Sequence, residues 1–162
     1  MSAEPRIQVV ISEQVLRLWQ GDTPVAEYRV ATAANGPGEA NGSLCTPRGR
    51  HRIRAKVGGG CPENTVFVAR RPTGERYSPG LRRQAPERDW ILTRILWLCG
   101  EEPGRNRLGR VDTMRRYVYI HGAPDDDPMG VPSSKGCVKM RNADIIDLFD
   151  RVAVGTPVVI EE

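Results

Sequence analysis

The sequence predicts a mainly-β domain with one clear helix, and three observations predict it. Seventeen glycines and thirteen prolines cut 162 residues into short runs, which suits strands and turns better than long helices. The N-terminal segment holds short β-prone runs separated by turn signals. Only one stretch, near the C-terminus, carries apolar residues at helical spacing. The length suits one domain with a core, spanning 1–162. A hydrophobic content of 39% beside 27% charged residues is that of a folded globular chain.

The elements follow in order. In "IQVVISEQVLRLWQGDTPVAEYRVATA", Ile7–Val9, Val15–Leu18 and Val25–Val30 read as strands, with Gly21-Asp22 turning between the last two. "ANGPGEANGS" reads as a loop. "TPRGRHRIRAKV" alternates with period two, setting Arg48, Arg50, Arg52 and Arg54 on one side and Gly49, His51, Ile53 and Ala55 on the other. The arginine side is either a solvated strand face or a cationic ladder beside a ligand. Residues 58–90 bring breakers in quick succession ("GGG", "RRPTG", "SPG", "APERD") and predict loop with a short hairpin. "DWILTRILWLCG" is rich in Ile, Leu and Trp and closed by Gly100, which favours a buried strand over a short helix. "RRYVYIHG" is a strand ending at a glycine. Asn142 is placed to cap a helix over "ADIIDLFDRVAVG", whose stripe is Ile145, Ile146, Leu148, Phe149 and Val152, with Gly155 just beyond. "TPVVI" returns as a last strand.

Composition narrows the function. A net charge of +4 and a pI near 9.1 favour an anionic partner such as a carboxylate- or phosphate-bearing substrate. Scattered arginines and only 6% aromatic residues argue against nucleic acid. "MSAEPRIQVVISEQ" lacks the apolar stretch of a secretory signal, and "WILTRILWLCG", interrupted by Arg94, is too short to span a membrane. No membrane partner and a cytoplasmic location are therefore expected. Cys45, Cys61, Cys99 and Cys137 are irregularly spaced, and His51 and His121 are the only histidines. Neither a zinc spacing nor a disulfide framework is recognisable, so no metal or cofactor is expected.

The chemistry concentrates in "PSSKGCVKM". Of three lysines in the chain, at 56, 135 and 139, two flank Cys137. A free thiol, with a pKa of about 8.5, needs a base or a nearby cation to act as a nucleophile at neutral pH. His121 is the candidate base if His51 faces inward from its strand. The Gly-, Pro- and Asp-rich "GAPDDDPMGVPSSKG" can fold back to bring His121 and Cys137 together. Gly136 permits a tight turn, and the Gly136 and Cys137 amides are placed to bind one oxyanion. In an extended segment Lys135, Cys137 and Lys139 share a face, so both ammonium groups would lower the thiol pKa and hold a carboxylate. A thiol so activated is expected to alkylate well below the pH a free thiol needs. The residues alone leave Cys137 open between a nucleophile and a structural cysteine.

"IHGAPDDDPMGVPSSKGCVKMRN" resembles the catalytic signature of the L,D-transpeptidases, the YkuD-type domain. His121, Gly122, Gly130, Ser134, Gly136, Cys137, Val138, Met140 and Asn142 match it. The opening hairpins, "TPRGRHRIR" and "VAVGTPVVI" extend the resemblance to nearly the whole chain outside about 58–98. The resemblance implies a β-sandwich of mixed sheets with one helix packed on it. It further implies that Cys137 attacks the carbonyl between a diamino acid's L-centre and a terminal D-alanine in a peptidoglycan stem. His121 would take the thiol proton, the Gly122 carbonyl would orient His121, and the Gly136 and Cys137 amides would hold the oxyanion. Lys135, Lys139, Ser134, Tyr119 and Arg141 are the expected substrate contacts. Lys135 stands where the family has His, and Lys139 where it has Arg, which loses a two-pronged grip on a carboxylate. An amine acceptor yields a cross-link and water yields a carboxypeptidase. With no visible export signal, the leading expectation is an L,D-carboxypeptidase trimming muropeptide tetrapeptides, free or sugar- or nucleotide-linked, in wall recycling. The alternatives are a cross-linking L,D-transpeptidase and a non-catalytic module that binds wall peptides.

Overall fold

The computed structural model describes residues 4–162. Its strands are β1 (Pro5–Val10), β2 (Val15–Gln20), β3 (Thr23–Ala31), β4 (Gly49–Val57), β5 (Thr65–Val68), β6 (Arg71–Arg76), β7 (Ile91–Gly100), β8 (Tyr119–Ala123), β9 (Val138–Arg141) and β10 (Pro157–Glu161). A short helix α1 (Pro79–Gln84) precedes β7, and α2 (Asn142–Arg151) follows β9. The mainly-β class holds, but the sandwich does not. Strands run β4-β10-β1-β2-β3-β9-β8-β7, and β7 pairs back onto β4 from His51↔Gly100 to Val57↔Ile95. That pairing joins the two ends of one sheet, so it closes into a barrel with no free edge along the circuit. The hairpin β5–β6 is appended to β7. The sheet is mixed, with β1–β10 and β8–β9 parallel and the other pairs antiparallel.

Alternation along the strands fills the core. Ile7, Val9, Leu16, Leu18, Ile53, Leu96, Leu98, Ile120, Val138 and Met140 form one buried cluster, which Ile145, Leu148 and Phe149 of α2 and Val152 just beyond it enter. Ile146 of the expected stripe is only partly buried. The start of α2 departs from expectation. Arg141 precedes the first turn without a side-chain cap, and Asn142 is itself helical. Its amide is used elsewhere, as shown below. At the other end of α2, the Lys56 ammonium donates to the Phe149 and Val152 carbonyls, 2.7 Å each. A cation at these orphan carbonyls also opposes the negative end of the helix dipole.

Residues 58–90 hold the expected hairpin and one element more. Ser78 Oγ accepts from the Leu81 N–H at 3.1 Å, and Pro79 opens the turn, so "SPGL" starts α1. "DWILTRILWLCG" resolves as strand β7. Its register against β8 jumps from Leu92↔Gly122 to Ile95↔His121, leaving Thr93 and Arg94 in a bulge with Thr93 at φ 74°. For a β-branched residue that conformation is strained.

Candidate functional site

Parallel pairing of β8 with β9 sets the site. Ile120 faces Val138 and Gly122 faces Met140, and Ile120, Val138 and Met140 are fully buried in the barrel. With a period of two, Tyr119, His121, Cys137 and Lys139 therefore share the opposite face. The structure thus brings His121 and Cys137 to one cavity of about 420 Å³, which Tyr119, Ser134 and Lys135 also line. Its remaining walls are Ala69, Arg70, Asp89 and Ile91 on one side and Arg116 and Tyr117 on the other.

The loop carrying Cys137 is pinned. The Ser133 and Ser134 amides both donate to the Thr32 carbonyl, and Thr46 Oγ1 donates to the Gly136 carbonyl at 2.9 Å. Gly136 has φ 126°, and a Cβ there would lie 3.1 Å from the Cys45 carbonyl oxygen, so the turn requires glycine. Ser134 is buried; its hydroxyl accepts from the Gly136 N–H at 3.2 Å and donates to the Cys137 carbonyl. The Gly136 amide expected in an oxyanion hole is thereby already engaged by Ser134, which shapes the loop carrying Cys137.

Gly122 shows a second glycine requirement. A Cβ there would meet the Leu92 carbonyl oxygen at 2.5 Å and Asn142 Oδ1 at 2.6 Å. The Gly122 carbonyl lies 2.7 Å from His121 Nδ1. A carbonyl can only accept, so Nδ1 carries the proton and Nε2 is the basic nitrogen. His121 is buried, and burial pushes its pKa below the ordinary histidine range, against the raising effects of Asp89 and the Gly122 carbonyl. Behind Gly122 lies a polar network. Thr93 Oγ1 donates to Asn142 Oδ1 at 2.5 Å, and Asn142 Nδ2 donates to Asn64 Oδ1 and Asp125 Oδ1 at 3.0 and 3.1 Å. The β7 bulge thus delivers the threonine that holds Asn142, and Asn142 packs against the glycine that orients His121.

Cys137 is half-buried. The Tyr119 N–H donates to Sγ at 3.3 Å, and the thiol points to the Tyr117 carbonyl at 3.6 Å. Burial pushes the thiol up to about 12, against the Tyr119 amide, Arg116 and Lys139, which favour the thiolate. Burial thus works against the easy alkylation expected of Cys137, and these three groups work for it. A shift in this direction favours the neutral thiol in the resting site.

The other expected contacts divide. Lys135 is exposed and lines the cavity. Lys139 instead pairs with Asp127 at 3.2 Å, and Asp127 also holds Arg82 of α1 at 2.7 Å. Arg141 is exposed and does not line the cavity. Tyr119 does, with its hydroxyl accepting from Arg70 at 2.9 Å. The arginine ladder is a solvated face: Arg50, Arg52 and Arg54 are exposed, and none of the four arginines reaches the cavity. His51 is buried far from it in the pairing, with Nδ1 3.0 Å from the Gly49 carbonyl and Nε2 2.9 Å from Thr113 Oγ1.

Sequence reasoning missed Arg70, Asp89, Arg116 and Tyr117. Arg116 and Tyr117 stood inside "RRYVYIHG", read as strand, yet the strand begins at Tyr119 and Tyr117 has φ 57°. Ala69 and Arg70 turn the β5–β6 hairpin with φ 49° and 64°, where the usual Asn or Gly signal is absent. Among the described residues, no three His, Cys, Asp or Glu side chains gather as a metal site, and no helix is long and apolar enough to cross a membrane.

The model of the YkuD L,D-transpeptidase catalytic domain matches residues 4–160. No curated protein matches the sequence. Among solved structures, the L,D-transpeptidase from Mycobacterium smegmatis is similar with a TM-score of 0.57 at 15% identity, covering 99% of this chain and 59% of that one. L,D-transpeptidase 3 from Mycobacterium tuberculosis, in complex with a faropenem-derived adduct, aligns with a TM-score of 0.60 at 16% identity over 99% of this chain and 61% of its own. The Enterococcus faecium L,D-transpeptidase aligns with a TM-score of 0.58 at 15% identity over 97% and 49%. The chain thus spans half to three-fifths of the length of these structures, and at such identities the likeness is one of fold. With the family model covering almost every residue, the chain belongs to the YkuD family of L,D-transpeptidase catalytic domains.

Proposed function

We propose that this protein is a cysteine-dependent enzyme of peptidoglycan stem peptides, acting as an L,D-carboxypeptidase that removes terminal D-alanine from muropeptide tetrapeptides. The observation that carries the reading is the placement of Cys137 and His121 on one face of two parallel strands, in one cavity, with the His121 tautomer set by the Gly122 carbonyl. Cys137 Sγ attacks the carbonyl of the scissile bond as its proton passes to His121 Nε2. The proton then goes to the leaving D-alanine nitrogen, and an acyl-thioester remains on Cys137. Water, deprotonated by the same nitrogen, adds to the thioester and releases the acid and the thiol. Burial keeps His121 neutral at working pH, which is the state a base requires.

The charge around the sulfur favours water as acceptor. Arg70, Arg116 and Lys135 face the cavity against Asp89 alone. Such a wall attracts a carboxylate-rich donor and repels a protonated amine acceptor. The substrate we infer is a soluble tetrapeptide, free or carrying sugar or nucleotide, of the kind recovered in the cytoplasm during wall recycling. The second reading is cross-linking by L,D-transpeptidation, favoured by the family to which the chain belongs. Incubation with a disaccharide tetrapeptide ending in D-alanine, with products followed by mass, tests both. Loss of one alanine supports hydrolysis and dimers support transpeptidation. Binding without either product would refute an enzymatic role.

A further inference from the structure

Among the described residues Arg116 makes no ion pair, and the carboxylate whose field reaches it is that of Glu39. Arg116 is half-buried, and burial works against its protonated form. Its nitrogens donate to the carbonyls of Gly38, Glu39 and Cys45 at 3.4, 3.2 and 2.6 Å, and to Ser43 Oγ at 3.4 Å. Every partner is neutral. The nearby Glu39 carboxylate belongs to Arg48, at 3.0 and 3.1 Å. A guanidinium stays protonated in such a place, and a desolvated, uncompensated charge is costly. The same guanidinium lines the cavity beside Cys137, and Nη2 lies 3.8 Å from where a Cβ on Gly136 would stand.

The other cations facing the sulfur are each paired, stacked or exposed. Lys139 is paired with Asp127, and Arg70 is held by the Tyr119 hydroxyl and stacked 4.8 Å from both the Trp97 and Tyr117 rings. Lys135 is exposed at the rim, Asp89 is anionic, and His121 is neutral in the resting site. With the Gly136 amide engaged by Ser134 Oγ, the pocket is also short of one oxyanion donor.

We propose that Arg116 is the charge partner of the reaction centre, its guanidinium stabilising the negative charge that forms on Cys137 Sγ and then on the acyl oxygen. The inference rests on Cys137 being the nucleophile. It explains why the fold holds this guanidinium with three carbonyls and a hydroxyl and leaves the Glu39 carboxylate to Arg48: a carboxylate paired with Arg116 would spend the field that the sulfur uses.

The test reads the thiol without substrate, so it stands or falls separately from the carboxypeptidase activity. Iodoacetamide alkylation of Cys137 is followed by peptide mapping, which separates it from Cys45, Cys61 and Cys99. In the wild type the rate rises about tenfold per pH unit through the neutral range, as expected for a small thiolate fraction. Arg116→Gln slows it roughly tenfold at every pH, while Arg116→Lys, which keeps the charge but not the fork of hydrogen bonds, stays within about threefold of wild type. Equal slowing in both variants would mean a merely structural role, and wild-type rates in Arg116→Gln would also overturn the proposal. Should Arg116→Gln not fold, an Arg70→Gln, Lys135→Gln double variant is treated with iodoacetate and iodoacetamide, each normalised to glutathione. Arg116 predicts a severalfold preference for the anionic reagent at low salt that vanishes at high salt; no preference would overturn it.

Discussion

Lys56, Lys135 and Lys139 are the only lysines in the chain, and the structure gives each a different task. Lys56 ties off the C-terminus of α2, and Lys139 joins Asp127 and through it α1. Lys135 alone stands exposed at the cavity. The two lysines of "KGCVK" are therefore not equivalent, because Lys135 stands exposed at the cavity while Lys139 is committed to an ion pair and still favours the thiolate. Lys135→Ala is expected to raise KM for the tetrapeptide severalfold with kcat little changed, as loss of a charge that binds the donor equally in ground and transition states. Steady-state kinetics check this; an equal fall in kcat and kcat/KM would place Lys135 in the chemistry instead. The flanking glycines made His121 and Cys137 candidates, the resemblance to the YkuD signature singled them out, and the structure brings both to one cavity. Arg116 was not legible, since its role depends on which backbone carbonyls a non-strand segment happens to meet.

Among the elements, the β7 bulge and the start of α2 together support His121. Asn142→Ala strips partners from Thr93, Asn64 and Asp125 and is expected to cost about 2–3 kcal/mol. Urea unfolding measures that cost, and a change within about 0.5 kcal/mol would show that water replaces the network. Gly122→Ala is expected to be worse, because its Cβ meets a strand carbonyl that cannot withdraw. Its signature is lost turnover together with a lowered Tm. Most strands and α2 were legible from period and punctuation, as was the Gly21-Asp22 turn, whereas α1 and the late start of β8 were not. The bulge was not, since Thr93 at φ 74° contradicts its own local preference and is held there by Asn64 and Asn142, distant in sequence. Asn142 was misread as a cap for the same reason.

At the scale of the whole molecule, the fold buries both histidines, and this shapes how stability varies with pH. Burial lowers His51 to about 4 from an unfolded value of about 6.5. Between those values the unfolded chain binds a proton that the folded chain does not. The stabilisation is therefore complete above about pH 6.5 and is lost as pH falls toward 4, by about 3 kcal/mol. His121, shifted the same way, adds to the slope. Urea midpoints measured from pH 7 to 4 should fall, and fall less in His51→Gln; a flat profile would contradict the burial of these rings. Barrel closure itself was not legible, because the β4–β7 pairing joins segments whose sequences specify strands but not partners. The account as a whole turns on one nucleophile among four free cysteines. Mass analysis of the protein mixed with a tetrapeptide ending in D-alanine tests it most directly. The account predicts loss of one alanine, an acyl adduct mapped to Cys137, and neither in Cys137→Ala. Turnover that persists in Cys137→Ala, or an adduct on Cys45, Cys61 or Cys99, would contradict it.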